Sequence, residues 1–214
     1  MSICLDLRDE TREEHRATEA TPFAKSLARG SVDAVQFAQY LAVTKRLLVS
    51  LTAAIEACGD ASVVPLGSAF ARRVGLIERD LMQLGLPNLA APVEAELVRL
   101  ESSLLGLSSP ALVGAAYVFE GSTLGGSVLA PRVERALGLA EGDLSYFRGG
   151  GDDPMRAWAA WKAGVDALAL AEPSRSLVIH GAKMTFSGMR RVLAALLPAV
   201  VATTCAGAAP SMVV

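Results

Sequence analysis

Only two histidines, His15 and His180, occur in the 214 residues. His15 lies in the stretch TREEHRATE, with Thr11 four residues before it and Glu19 four residues after. On a helix these three share one face, a turn apart. A carboxylate at that spacing can orient an imidazole through one ring nitrogen and leave the other as a base or a metal ligand. No HxxxH or ExxH cluster accompanies it, so a metal held by several protein side chains is not expected. A single imidazole suffices only where the metal arrives with equatorial ligands of its own. The competing reading is a solvated histidine on a charged helix face.

A second signal lies in YVFEGSTLGGSVLAPRV, Tyr117 to Val133, which has the apolar spacing of a buried helix yet carries Gly121, Gly125 and Gly126. Each interior glycine costs a helix roughly 0.5–1 kcal/mol relative to alanine. Gly121 and Gly125 share a face with Gly126 beside them, so three side chains are missing from one patch. Such a patch admits two readings. Either another helix packs very closely against it, or a flat ligand lies directly on the backbone while the helix bends. The second reading joins the two signals, with His15 on the other side of the ligand.

Helical spacing dominates the segments that must position these residues. DLRDETREEHRATEATPFAKSLARG opens as a helix, is expected to break near Thr21-Pro22, and resumes to a stop at Gly30. A long helix follows, with Ser31 as its cap and Val35, Tyr40, Leu41, Leu47, Leu48, Leu51 and Ile55 as its apolar stripe. Further helices are read in GSAFARRVGLIERDLMQLG, ended by Gly85-Leu86-Pro87, and in APVEAELVRLESSL, with Pro92 in its first turn. The glycine-bearing segment runs from Ala111 to Leu137, and SYFRGGGDDP is a loop. MRAWAAWKAGVDALAL and SRSLVIHGAKMTFSGMRRVLAALLPAV supply the last two helices. No alternating strand pattern or internal repeat competes. The expectation is an all-α single domain over residues 1–198, with a poorly ordered small-residue tail at 199–214.

A net charge of −2 and a pI near 5.8 leave no basic footprint for nucleic acid. Cys4, Cys58 and Cys205 are odd in number and far apart, which suits fillers in a reducing cytoplasm rather than disulfides or a zinc site. The N-terminus is charged by its sixth residue, unlike a signal peptide. Mean hydropathy is high at +0.39. Charges are nonetheless expected to interrupt the apolar runs before the roughly 18 residues of a membrane span. No GxGxxG after a strand marks a flavin or nicotinamide site. Trp158 and Trp161, three apart, read as core, and His180 as a packing or surface residue. Arg190-Arg191 reads as a solvated face, or as a dock for an acidic redox protein.

LRDETREEHRATE resembles the proximal helix of the haem oxygenases, whose Leu-x-x-x-Thr-x-x-x-His-x-x-x-Glu pattern is occupied by Leu7, Thr11, His15 and Glu19. EGSTLGGSV is similar to the distal-helix Gly-x-x-x-Gly-Gly signature of that family, in the bacterial form that carries Ser after the first glycine and often accompanies phytochromes. WAAWKAGVDAL followed by AKMTF resembles the family's C-terminal pair of helices. The resemblance runs from Leu5 to Leu197 and implies a haem oxygenase-like helical bundle. It implies His15 as the axial iron ligand, Glu19 as its orienter, and Gly121, Ser122 and Gly125 as the catalytic distal positions. Gly126 and Phe186 would touch haem. Arg12 and Arg8 would face a haem propionate, which a guanidinium suits, and Lys162 matches a further basic position.

The implied activity is oxidative cleavage of haem, at once substrate and cofactor, to biliverdin with release of CO and iron. It would take O2, and electrons from an external ferredoxin-type or reductase donor, with a phytochrome as a biliverdin acceptor and neither nucleic acid nor membrane as partner. The animal members carry Asp after the first distal glycine where this chain has Ser122. Ordering of distal water must then fall to other groups, such as backbone carbonyls freed by a bend. Three consecutive glycines, Gly149 to Gly151, stand where relatives more often have an aromatic. The alternative is a haem-binding sensor or carrier that keeps these residues without turning haem over. A haem-free enzyme of this architecture would need a cysteine with carboxylates, or several Glu and His ligands, and neither occurs at suitable spacing.

Overall fold

Apolar residues recurring at helical spacing bury one face of each element, and the computed structural model packs those faces into one core. It describes residues 2–149 and 153–196; the expected tail from residue 199, with Cys205, lies outside them. Among the described residues there are nine α-helices and no strand, which meets the all-α expectation. They are α1 (Ile3–Glu10), α2 (Arg12–Glu19), α3 (Pro22–Arg29), α4 (Ala34–Cys58), α5 (Ser68–Leu84), α6 (Ala91–Leu105), α7 (Ser109–Leu137), α8 (Pro154–Asp166) and α9 (Ser174–Ala195), with a 3₁₀ turn at Val64–Gly67.

The N-terminal arm is two helices where one was expected. It breaks at Thr11, whose φ of −108° and ψ of 10° leave helical geometry. Thr11 is buried, and its hydroxyl donates to the Leu7 carbonyl at 2.6 Å. A β-branched residue bonded to its own backbone in this way loosens the ladder. The direction of α2, and of His15 on it, is thereby set apart from that of α1. α4 is capped by Asp33 rather than Ser31, because Asp33 and Gln36 exchange side-chain and backbone bonds as a capping box. Its stripe is buried as expected except for Tyr40, which is half-buried, and Val35, which lies in the first turn and is exposed.

The crossing of α7 and α9 organises the rest. A Cβ on Gly114 would lie 1.9 Å from the Val178 carbonyl oxygen, and one on Gly181 would lie 2.0 Å from that of Ala111. The two backbones touch only because both positions are glycine. Two turns further along the same face of α7 stands Gly121, where the helices have parted and a cleft lies between them. α7 is long and apolar enough to cross a bilayer, contrary to the expectation of interrupting charges. Half of its most apolar window is buried inside the molecule, where α3, α4, α8 and α9 pack around it. Its apolarity serves the core.

Two buried carboxylates clamp the loop between α7 and α8. Glu134 accepts the N–H groups of Gly142 and Leu144 and the Arg148 guanidinium, the last at 2.6 Å. Asp80 accepts those of Ser145 and Tyr146 at 2.8 and 2.9 Å. Burial pushes the Asp80 carboxyl up. Burial acts the same way on Glu134, but Arg148 and the two N–H donors outweigh it and hold that carboxyl below its ordinary value. α8 starts behind the Asp153 cap and ends at Asp166, short of the expected Leu170, because Ala169 takes a left-handed φ of 49°.

Candidate functional site

α2, α7, α8 and α9, with Leu27 of α3 and Tyr40 of α4, enclose a cleft of about 320 Å³, within the range of small-molecule sites. His15 and Glu19 line one side, Gly121 and Ser122 the other, and Tyr40, Tyr117, Trp158, Phe186 and Met189 complete the walls. His15 Nδ1 lies 3.5 Å from Glu19 Oε2, so the expected pairing is present at the long end of a charge contact. The imidazole meets the Phe186 ring edge-on, with centroids 5.5 Å apart at 82°. Glu19 at Nδ1 leaves Nε2 as the nitrogen available to a ligand. Thr11 sits buried a turn before His15, its hydroxyl also bearing on the Tyr117 phenol.

The three glycines separate into two kinds. A Cβ at Gly121 would meet only Trp158, at 3.8 Å, and one at Gly125 would meet nothing within 4 Å. Both are bare toward open space. Gly126 is buried, and its Cβ would come within 3.2 Å of the Phe147 ring. The expectation that Gly126 faces a ligand is therefore corrected: it lets the clamped loop pack on α7. α7 runs unbroken through all three. The hydroxyls of Ser122, Thr123 and Ser127 donate to the carbonyls of Phe119, Glu120 and Leu124 at 2.7, 2.7 and 2.8 Å. Such bonds relax a helix, and they occupy carbonyls that the sequence had suggested were free for water.

The expected cations gather around the mouth of the cleft. Arg8 and Arg12 both reach Asp9, at 3.1 and 2.6 Å, and together hold its exposed carboxyl below the usual value. Arg8, Arg12 and His15 share a shallow groove with Arg16, which spacing four residues after Arg12 could have flagged. Arg8 and Lys162 flank a neighbouring groove against Tyr117 and Trp158, with Lys162 Nζ 5.5 Å from the Trp158 ring centroid. Sequence reasoning placed Trp158 in the core; it stacks on Trp161 at 5.4 Å and 8°, and also forms a wall of the cleft. Tyr40 was read only as core. Burial raises the phenols of Tyr40 and Tyr117, which keeps both neutral in the cleft wall. His180 is exposed on α9.

Among the described residues no three His, Cys, Asp or Glu side chains gather to hold a metal. One imidazole, an opposing strip of bare backbone, aromatic walls and a basic rim fit a planar, anionic metal complex that brings its own equatorial ligands. Comparison with known proteins converges on one such ligand. A curated haem oxygenase from Xanthomonas campestris pv. campestris is 33% identical over 175 residues, covering 80% of this chain and 96% of that protein. Haem oxygenase from Leptospira interrogans has the same fold, with a TM-score of 0.77 and 21% identity over 91% of this chain and 99% of that one. Haem oxygenase-1 from the cyanobacterium Synechocystis, solved in complex with haem, superposes with a TM-score of 0.75 at 16% identity, over 90% of this chain and 91% of that one. The Heme oxygenase family model matches residues 1–195, and the chain belongs to the haem oxygenase family.

Proposed function

We propose that this haem oxygenase holds haem edge-inward between α2 and α7, with His15 Nε2 on the iron and Gly121 and Gly125 under the opposite face. The observation that carries this reading is the single imidazole facing bare backbone across one apolar cleft. Bound haem supplies the iron at which O2 is activated and the ring carbon that is oxidised, giving biliverdin, CO and iron. Glu19 steadies His15 through Nδ1 and raises its basicity as a ligand. A neutral nitrogen ligand, unlike a thiolate, withholds the electron push that cleaves the O–O bond. Gly121 and Gly125 let the α7 backbone approach the ring where any side chain would stand in the way, confining the reacting edge. Phe186 fixes the imidazole plane from one side while it lines the cleft.

Arg8, Arg12 and Lys162 receive the propionates at the mouth, in water, where each pair contributes at most about 1 kcal/mol. Electrons come from an external ferredoxin-type or reductase donor, and biliverdin passes to a phytochrome-type acceptor. A reducing, cytoplasmic setting suits the free Cys4 and Cys58; burial first, then Asp166, pushes the Cys4 thiol up to about 12, where it stays unreactive.

The test is hemin titration of the purified protein and of His15→Ala. The wild type is expected to take up one hemin with a sharp Soret band that decays to biliverdin under reductant and O2. His15→Ala is expected to shift that band and lose turnover, with added imidazole restoring the spectrum. An unchanged haem spectrum on this substitution would falsify the assignment, and a Soret band that persists without pigment would reduce the protein to a haem carrier.

A further inference from the structure

A second cavity, of about 250 Å³, lies against another face of α7. Glu120 and Thr123, three residues apart and so on one side of the helix, line it beside Arg72, Arg73 and Trp161. The Glu120 side chain is only 4% exposed. Its Oε2 accepts from Arg73 Nη2 at 2.5 Å, while Oε1 is buried without a partner, as is Nε1 of Trp161. Native folds rarely leave buried polar atoms unpaired, because each loses its hydration with nothing in return. Here two of them line a single cavity, and they are complementary. An ionised carboxylate oxygen only accepts and an indole N–H only donates.

The chemistry of a fitting occupant follows from the lining. Two guanidinium groups stand against one carboxylate, so a cation is disfavoured. An anion would bring a second bare acceptor to Glu120 Oε1. A neutral hydroxyl answers both orphans at once, donating to Oε1 and accepting from Nε1. Burial pushes the Glu120 carboxyl up while Arg73 pulls it down, and a hydroxyl fits either protonation state because it can reverse the bond. Volume and polarity set the remainder. An apolar cavity of about 150 Å³ holds benzene, whereas one water takes only about 30 Å³ of liquid. This cavity is larger, and Leu76, Pro154 and Ala157 give it apolar wall. A single bridging water would leave most of it facing hydrocarbon.

We propose that this cavity is a binding site for a small neutral alcohol or phenol, its hydroxyl held between Glu120 and Trp161 and its ring against Leu76, Pro154 and Ala157. The site is separate from the haem cleft and stands without it. Trp161 walls the one and Trp158 the other, and the two indoles stack at 5.4 Å and 8°. Arg73 bonds Glu120 Oε2 and reaches the Phe119 carbonyl at 3.4 Å. It thereby fixes the carboxylate and leaves Oε1 to the ligand. Thr123 donates its hydroxyl proton to the Glu120 carbonyl at 2.7 Å, so its oxygen remains as a further acceptor. The polar groups are set before any ligand arrives, which spares the ordering that binding otherwise requires.

The experiment titrates benzyl alcohol into the full-length, haem-free protein by calorimetry, with toluene, benzylamine and benzoate for comparison. Benzyl alcohol is expected to bind at least about tenfold more tightly than toluene, which fills the same space but leaves both orphans unpaired. Benzylamine and benzoate should also bind at least about tenfold more weakly. The chain has only two tryptophans, and the indole N–H resonance of Trp161 should shift as benzyl alcohol saturates. Trp161→Phe keeps an aromatic ring and removes the donor, so it should weaken benzyl alcohol about tenfold and leave toluene unchanged. Hemin-loaded protein should bind benzyl alcohol as the haem-free protein does. Equal affinity for toluene and benzyl alcohol, or an unmoved Trp161 resonance, would overturn the site. Displacement of benzyl alcohol by hemin would place it in the haem cleft and overturn the site as well. A soaked crystal with only water on Glu120 Oε1 and Trp161 Nε1 would have the same force. The wild-type comparison is decisive even if Trp161→Phe fails to fold. Failure of the wild type to bind hemin would sink the haem site and leave this one standing.

Discussion

Gly121 and Gly126 are five residues apart and glycine for opposite reasons. Gly126 is filled from outside by Phe147, whereas Gly121 faces a cleft with only Trp158 near, at 3.8 Å. Gly121→Ala should therefore leave the haem-free protein folded and raise its stability by about 0.5–1 kcal/mol, the helix propensity regained. The same methyl stands where haem would lie, so hemin affinity should drop about tenfold, one order of magnitude being about 1.4 kcal/mol. Thermal denaturation of the haem-free form together with hemin titration reads the two effects separately. Gains in both would mean the bare strip is not a haem floor. Glu19 calls for a milder expectation. It is 67% exposed and 3.5 Å from His15, so Glu19→Gln should weaken hemin binding by about tenfold at most, the low end of what such supporting residues contribute. Spectroscopic titration at one pH measures it.

Among the elements, the α7–α9 crossing and the α7–α8 loop decide where the cleft opens. Close packing was one of the two readings of Gly121, Gly125 and Gly126; the molecule uses it at Gly126 against Phe147 and, outside that trio, at Gly114 for the crossing, while Gly121 borders the cleft. Spacing could not assign them, because Gly114 and Gly121 lie two turns apart on one face and differ only in what α9 does opposite. Helix existence was legible from periodicity and turn residues. The break at Thr11 was not, since the same threonine-to-carbonyl bond that Thr11 makes to Leu7 is made by Thr44 and Thr52 inside the unbroken α4, so the residue type alone does not signal a break. Gly114→Ala would put a methyl against backbone that cannot yield, and should cost about 3 kcal/mol or more, read as a lowered urea midpoint. The loop clamp has a pH signature. The folded-state carboxyl of Glu134 sits below its ordinary 4.5. Its stabilising contribution is therefore complete above the unfolded value and fades as pH falls through the folded one. Melting temperature should fall on acidification below that range, and Glu134→Gln should show a flatter slope there together with a loss of roughly 3 kcal/mol at neutral pH. Parallel slopes would remove the clamp from the account.

For the whole molecule, the core declared itself through apolar spacing, while the cleft declared itself only through residues that spoil good helices or carry charge. His15, Glu19, Gly121, Ser122 and Phe186 were legible and are brought together on one cleft. Tyr40, Trp158 and Met189 were not, because an aromatic or sulfur side chain at helical spacing looks the same whether it faces core or ligand. The basic rim is a property of the assembled bundle: Arg8 and Arg12 come from the N-terminal arm and Lys162 from α8. Both arginines already engage Asp9 in water, so capturing propionates exchanges one exposed ion pair for another. Such pairs are screened over about 10 Å at 0.1 M salt and about 3 Å at 1 M. The rim should therefore tune hemin affinity modestly and in a salt-dependent way, with the imidazole and the apolar walls providing the remainder. Hemin binding should weaken about threefold to tenfold between 0.1 and 1 M salt. Hemin dimethyl ester, which has no propionate charge, should bind more weakly at low salt and show little salt dependence. Arg8→Ala with Arg12→Ala should make free hemin behave like the ester. If the ester and free hemin respond to salt alike, the cations at the mouth serve only the stability of the N-terminal arm, and the ring enters by its apolar edge alone.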